Sequence, residues 1–269
     1  MRRKKLIVTA HDVGITHSVN LGIKYALNHP DNIFSELSLL VNAPGSEEAA
    51  KMFKDSDIPI DLCIVLTNYK PILKTHKTLV DKNGNFKRAD TLEWDFSCID
   101  SFSEEEIKKE IDAQWDWFID NLGRKPSALT AQKGEHGDPK VLIPFVEKAK
   151  KENVPIRAPY WKWKSNYAAH AYVVEEGVKH TNNIIIGCFD WKGRFGMDIE
   201  EDLDKIIDTI NSNVGITELF VFCGFVDEEI FDLSSVSWQR GQYLHILKYK
   251  TEILRKLKDS FDLISYSDL

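Results

Sequence analysis

Short apolar runs alternate with helix-period segments along this 269-residue chain, and that alternation constrains the fold more than any other feature. Strand-like runs fall at 6–10, 37–41, 62–66, 128–131, 184–188, 219–223 and 263–266. Helical patterns fall at about 18–28, 46–54, 104–121, 140–152, 200–213 and 239–259. Runs apolar on both faces read as strands of a parallel sheet covered on each side by helices. Strand–helix alternation sustained over a whole chain is the pattern of an α/β architecture. About seven parallel strands in a chain of this length predict a distorted or incomplete (β/α) TIM-like barrel, a single domain over 1–269. A doubly wound open sheet is the alternative. Ser103-Glu104-Glu105-Glu106 has capping-box spacing and marks the start of the third helix.

Two segments break the pattern. Residues 67–102 form a long inserted connection with a turn signal at Asp81-Lys82-Asn83-Gly84, and Tyr69, Leu79, Phe86, Trp94 and Phe96 favour an ordered lid. The second break, at 158–167, carries Tyr160, Trp161, Trp163 and Tyr167, flat faces that suit sugar rings or, alternatively, a satellite hydrophobic cluster.

The net charge of -7 argues against a nucleic-acid partner, which wants a basic face. The basic start, Arg2-Arg3-Lys4-Lys5, runs into an apolar stretch too short for a signal peptide or membrane span, so the expectation is a cytoplasmic protein without a membrane partner. Cys63, Cys98, Cys188 and Cys223 are widely spaced with no CxxC pair, which favours free thiols.

The first apolar run ends in Ala10-His11-Asp12-Val13-Gly14. In an α/β fold the residues just past the carboxyl end of a strand line the ligand crevice, so His11 and Asp12 stand where chemistry usually sits. The plainer alternative is that Asp12 caps the next turn and His11 is a satisfied neighbour.

These segments together resemble the YdjC/ChbG-like carbohydrate deacetylases. Ala10 to Gly14 matches that family's strand followed by Ala-Asp-Asp-Phe-Gly; Val41-Asn42 matches its second strand end. Asp61 to Thr67, with Lys70-Pro71, matches Gly-Leu-His-Leu-x-Leu-Thr with its Lys-Pro. Gly123-Arg124-Lys125-Pro126 through His136 matches a histidine-rich run, and Phe222-Cys223-Gly224-Phe225-Val226-Asp227 matches His-Pro-Gly-Tyr-Val-Asp. Arg240 and the closing Leu263 to Tyr266 also fit.

The resemblance implies a hydrolase that removes N-acetyl groups from amino-sugar oligosaccharides, holding one divalent metal, usually zinc, often as a homodimer. A bound metal polarises the acetyl carbonyl and activates water while a carboxylate base takes the proton. Carried over, the base position holds His11, and the metal positions hold Asp12, Cys63 and Gln132. Thr130 and Phe222 replace an aspartate and a late histidine, while His136 keeps its identity. Arg157, Trp161, Trp163, Arg240 and His136 are the expected carbohydrate-binding residues.

Gln132 offers only a neutral carbonyl oxygen to a metal that wants three good ligands. The replacements therefore predict weak metal binding or none, and an altered or inactive deacetylase whose cleft binds a glycan. One alternative is a rebuilt metal site, with His11 as base and Glu135, His136, Asp138 or Cys223 supplying a ligand. Others are a thiol–imidazole pair of Cys63 and His11, and a scaffold or interaction protein. Without a metal, Asp12 needs a cation, and Arg157 is the expected partner.

Overall fold

A computed structural model describes residues 3–89, 95–161, 164–187 and 197–269, excluding the side chains of 161, 164 and 165. Within them, strands run over β1 (Lys4–Val13), β2 (Glu36–Leu40), β3 (Ile60–Ile64), β4 (Leu129–Ala131), β5 (Tyr160–Trp161), β6 (Lys164–Ser165), β7 (Asn183–Gly187), β8 (Thr217–Phe222) and β9 (Phe261–Ile264). Helices are α1 (His17–Leu27), α2 (Ser46–Phe53), α3 (Glu104–Leu122), α4 (Pro139–Glu152), α5 (Tyr167–Glu175), α6 (Leu203–Ser212), α7 (Glu228–Leu233), α8 (Arg240–Tyr249) and α9 (Thr251–Ser260). No helix among the described residues is long and apolar enough to cross a membrane.

The main sheet is parallel, in the order β4-β3-β2-β1-β8-β7, with β9 also paired to β1. Single parallel bridges run from Leu129 to Ile156 and from Ile156 to His180, just before β7. The sheet thus curls into a distorted TIM-like barrel whose last seam is held by isolated bridges rather than a ladder. β1 is the staple. Its first half pairs β9, its second half pairs β2, and β8 runs along its other side. It is buried from Leu6 to Val13, which explains why its sequence is apolar on both faces. Its register against β2 slips between Ala10 and Val13, a bulge at His11 and Asp12. Bulges bend a strand and re-aim its side chains.

Several boundaries differ from the sequence pattern, each for a local reason. β3 stops at Ile64 because the next backbone groups bond to side chains: Val65 to the Gln114 amide, Leu66 and Thr67 to the Glu135 carboxylate. The 239–259 segment is two helices, broken at Lys250 by a non-helical backbone (φ -141, ψ 43). α6 begins at Leu203 because the Asp198 carboxylate holds the amides of Glu200 and Glu201 in a turn. The expected capping box is not formed. Ser103 makes no side-chain cap, and Glu106 instead accepts from the amides of Lys77, Thr78 and Leu79 and from the Thr78 hydroxyl.

That diversion fastens the 67–102 connection to α3. One turn on, Glu110, fully buried, accepts from the amides of Ile72 (2.8 Å) and Leu73 (3.2 Å) and from His76 Nε2 (2.9 Å). Leu79, Phe86 and Phe96 are buried beneath; Trp94 lies outside the described residues. A buried donor left unpaired costs about 1–3 kcal/mol. Glu110→Ala, which orphans several, is therefore expected to lower the unfolding free energy by about 3 kcal/mol and to speed amide exchange at Ile72 and Leu73 selectively. Urea titration and hydrogen exchange check this; uniform exchange across the chain would contradict it.

Candidate functional site

A cavity of about 400 Å³ opens at the carboxyl end of the strands. β1 contributes His11 and Asp12; the segment after β3 contributes Asn68 and Tyr69; the turn after β4 contributes Gln132 and Lys133. Tyr160, Phe220 and Phe222 add aromatic wall, and Arg88 and Ala89 come from the 67–102 connection. Trp163 and the side chain of Trp161 lie outside the described residues.

At the bulge Asp12 adopts φ 61, a left-handed conformation that aspartate tolerates better than most residues. Its carboxylate is engaged at both oxygens. Oδ2 accepts from Arg240 Nη2 at 2.7 Å, and Oδ1 accepts from His11 Nδ1 at 2.9 Å and, more weakly, from Gln132 Nε2 at 3.4 Å. Burial alone would raise its pKa, but the His11 contact and the Arg240 guanidinium together hold it far below the usual carboxylate range.

Arg157 does not pair with Asp12, as the sequence led one to expect; Arg240 does. Arg157 forks onto Glu218 instead, with Nε to Oε2 and Nη2 to Oε1 both 2.7 Å. Glu218 sits inside β8 and pre-empts the guanidinium; Thr9 Oγ1 (2.7 Å) and Tyr266 OH (2.6 Å) complete its shell. The third nitrogen, Arg157 Nη1, lies 3.2 Å from His11 Nε2. A guanidinium donates and cannot accept, so His11 Nε2 must be the acceptor, and the ring proton sits on Nδ1, donated to Asp12. In this arrangement both ring nitrogens of His11 are engaged, one by Arg157 and the other by Asp12.

The remaining candidates do not converge. Cys63 is fully buried in β3, away from the cavity lining, and burial pushes its thiol well above the ordinary range. That removes the thiolate on which a thiol–imidazole pair depends. His136 is buried between Phe145 and Tyr160, its pKa lowered to about 4 chiefly by burial. Arg157, Arg240 and His136 are all fully buried, and none lines the cavity where substrate contacts were expected. Asp138 caps α4 through Lys140 N, Cys223 is buried with its thiol pushed up, and Glu135 is turned onto Leu66 and Thr67. No three His, Cys, Asp or Glu groups gather into a metal-ligand cluster among the described residues. The donor set at Asp12, Cys63 and Gln132 fits a zinc ion poorly: a carboxylate already paired with Arg240, a thiol buried away from the cavity and a neutral amide.

Sequence reasoning missed Glu218 and Arg88. The first had a signal, a lone acid inside Thr217-Glu218-Leu219-Phe220-Val221-Phe222, where burial demands a cationic partner.

A parallel barrel with a strand-end cleft of aromatic and charged residues is an architecture in which α/β proteins hold small ligands. The YdjC-like protein family model matches residues 5–254, and the chain belongs to that family. It is 27% identical to a carbohydrate deacetylase of Clostridium beijerinckii over 268 residues, 98% of this chain and 100% of that one. It is 28% identical to a carbohydrate deacetylase of Thermoanaerobacter pseudethanolicus, over 97% of each chain. A crystal structure from Enterococcus faecalis, described provisionally as a cellobiose-phosphate cleavage protein, superposes with a TM-score of 0.82 at 22% identity, covering 99% of this chain and 98% of that one.

Breaking a buried ion pair from one side typically costs about 3–5 kcal/mol, because a bare charge is left behind. Arg240→Met is expected to destabilise the fold by about that amount, and Asp12→Asn with Arg240→Met to recover part of it; a double-mutant cycle in urea checks the coupling, and additive losses would contradict it.

A second expectation concerns pH. Burial raises Asp61 from 3.8 to about 7 and Glu135 from 4.5 to about 7, and Asp61 Oδ2 has no partner. A carboxyl with a raised folded pKa stabilises fully below its unfolded pKa and loses that contribution as pH rises through the folded value. Stability is therefore expected to fall between pH about 4.5 and about 7, and Asp61→Asn to flatten the fall. Urea unfolding across that window measures the slope; an unchanged slope would remove Asp61 as its source.

Proposed function

We propose that this chain is a carbohydrate-binding member of its family that does not carry out metal-dependent deacetylation, its cleft taking a saccharide related to the substrates of the deacetylases it resembles. One observation carries the reading: Asp12, His11 and the two arginines are hydrogen-bonded to one another. Base catalysis needs a free lone pair within reach of the attacking water, and the lone pair of His11 is engaged by Arg157. A metal at Asp12 would have to share the carboxylate with the Arg240 guanidinium, a positive charge 2.7 Å away. Tyr69, Tyr160, Phe220 and Phe222 keep an aromatic lining of the kind that stacks on the C–H faces of sugars. The relatives named as carbohydrate deacetylases supply the ligand class.

The test uses the purified full chain, stripped with chelator and dialysed against zinc. Elemental mass spectrometry is expected to find far less than one zinc per chain. Incubation with N,N′-diacetylchitobiose is expected to release no acetate, while ligand-observed NMR detects its binding. Stoichiometric zinc together with acetate release, abolished by Asp12→Ala, would overturn the proposal in favour of a rebuilt hydrolase.

A further inference from the structure

The 67–102 connection and the first turn of α3 hold each other. In a capping box the glutamate at the third helical position bonds the amide of the N-cap residue. Here Thr78 takes that amide: its hydroxyl accepts from Ser103 N at 2.8 Å and donates to the Glu106 carboxylate at 2.6 Å. Glu106 is thereby released to accept from the amides of Lys77 (2.9 Å), Thr78 (2.7 Å) and Leu79 (3.3 Å). From this anchor a short series of hydrogen bonds leads to the cleft. The Leu79 carbonyl accepts from Lys87 N at 2.9 Å, Val80 bridges Phe86, and Phe86 N donates to the Tyr69 carbonyl at 3.0 Å. Asp81 closes the turn between them, its carboxylate accepting from the amides of Asn83 and Asn85. Tyr69 lines the cavity, and so do Arg88 and Ala89, which directly follow Lys87. Tyr69 is held at φ 61, a left-handed conformation that disfavours a bulky side chain and persists only where neighbours over-determine it. Phe86 is such a neighbour, and it is placed in turn by the segment that Glu106 holds.

Resting on the saccharide reading above, we propose that Glu106 is a positioning residue for the cleft. It does not line the cavity; it acts through residues 77–87, holding Tyr69, Arg88 and Ala89 in the wall against which the sugar packs. Coupling between two places in a protein is reciprocal, so a ligand that packs against this wall must in return tighten the anchor. Lys77, Thr78 and Leu79 are not part of the cavity lining, and their response to ligand therefore reports coupling rather than contact.

Hydrogen exchange and ligand-observed NMR on the full chain test this, with N,N′-diacetylchitobiose as the probe. In the wild type, saturating disaccharide is expected to slow exchange of the Thr78 and Leu79 amides. Glu106→Ala is expected to weaken binding about tenfold, to abolish that slowing, and to speed exchange at Phe86 and Lys87 in the free chain. Glu106→Gln keeps an acceptor for Thr78 and Leu79 but turns a donor toward Lys77, so its affinity is expected to fall between the two. Thr78→Val, which removes only the hydroxyl, is expected to shift the same readouts in the same direction and serves if Glu106→Ala does not fold. Wild-type affinity in these variants, or a ligand that leaves Thr78 and Leu79 exchange unchanged, overturns the inference and keeps the saccharide reading. Absence of binding to the wild type overturns the saccharide reading. The free-chain exchange then decides the positioning role, which fails if Phe86 and Lys87 exchange alike in the wild type and the variants.

Discussion

Arg157 lies wholly inside the barrel, and its permanent charge orders the polar groups that lead to the cleft. Glu218 stays ionised because Arg157 forks onto it; burial on its own would push that carboxyl up. The remaining N–H points at His11 and fixes its tautomer, which points the other ring nitrogen at Asp12, which in turn takes Arg240. A continuous line of hydrogen bonds therefore runs from Tyr266 through Glu218, Arg157 and His11 to Asp12 and Arg240. Each member is oriented by the one before, so the chemistry at the cleft is set from within the barrel.

The scaffold makes that line possible in one place. β1 is held by three neighbours, and the bulge at its end is the point where a rigid strand hands side chains to the cleft. Barrel interiors are usually filled by apolar layers. Here Glu36, Asp61, Glu218 and Arg157 share the interior, three carboxyls to one guanidinium. The excess is absorbed by protons: burial raises both Asp61 and Glu36, while serine and threonine hydroxyls bond the carboxyl oxygens.

Much of this was legible in the sequence, for identifiable reasons. Strand–helix alternation is a strong signal because burial on both faces leaves long apolar runs, and it located the strands of the barrel and the cleft at its strand ends. Boundaries failed where side chains took over backbone bonding, as Glu135 and Gln114 did after β3, and Glu106 did at the start of α3. Those substitutions are long-range, between residues dozens of positions apart, and leave no local trace. The choice of cation for Asp12 failed similarly. Both arginines were identified, but which of two buried guanidiniums meets a carboxylate depends on a third residue, Glu218, that removes one from contention.

Glu218 also bears on how a family's chemistry can change while its fold stays. Cys63 and Phe222 both belong to the hydrophobic core, where apolar side chains cost folding little. Asp12 is different, because a buried carboxylate cannot be left bare. Arg240 meets it with its guanidinium over the Phe222 ring, 5.0 Å from the centroid, so Phe222 helps seat the cation that answers Asp12. Phe222 and Arg240 therefore act together on Asp12. A polar side chain at 222 would disturb the seat of the arginine, and a cation brought to Asp12 would meet a charge of its own sign.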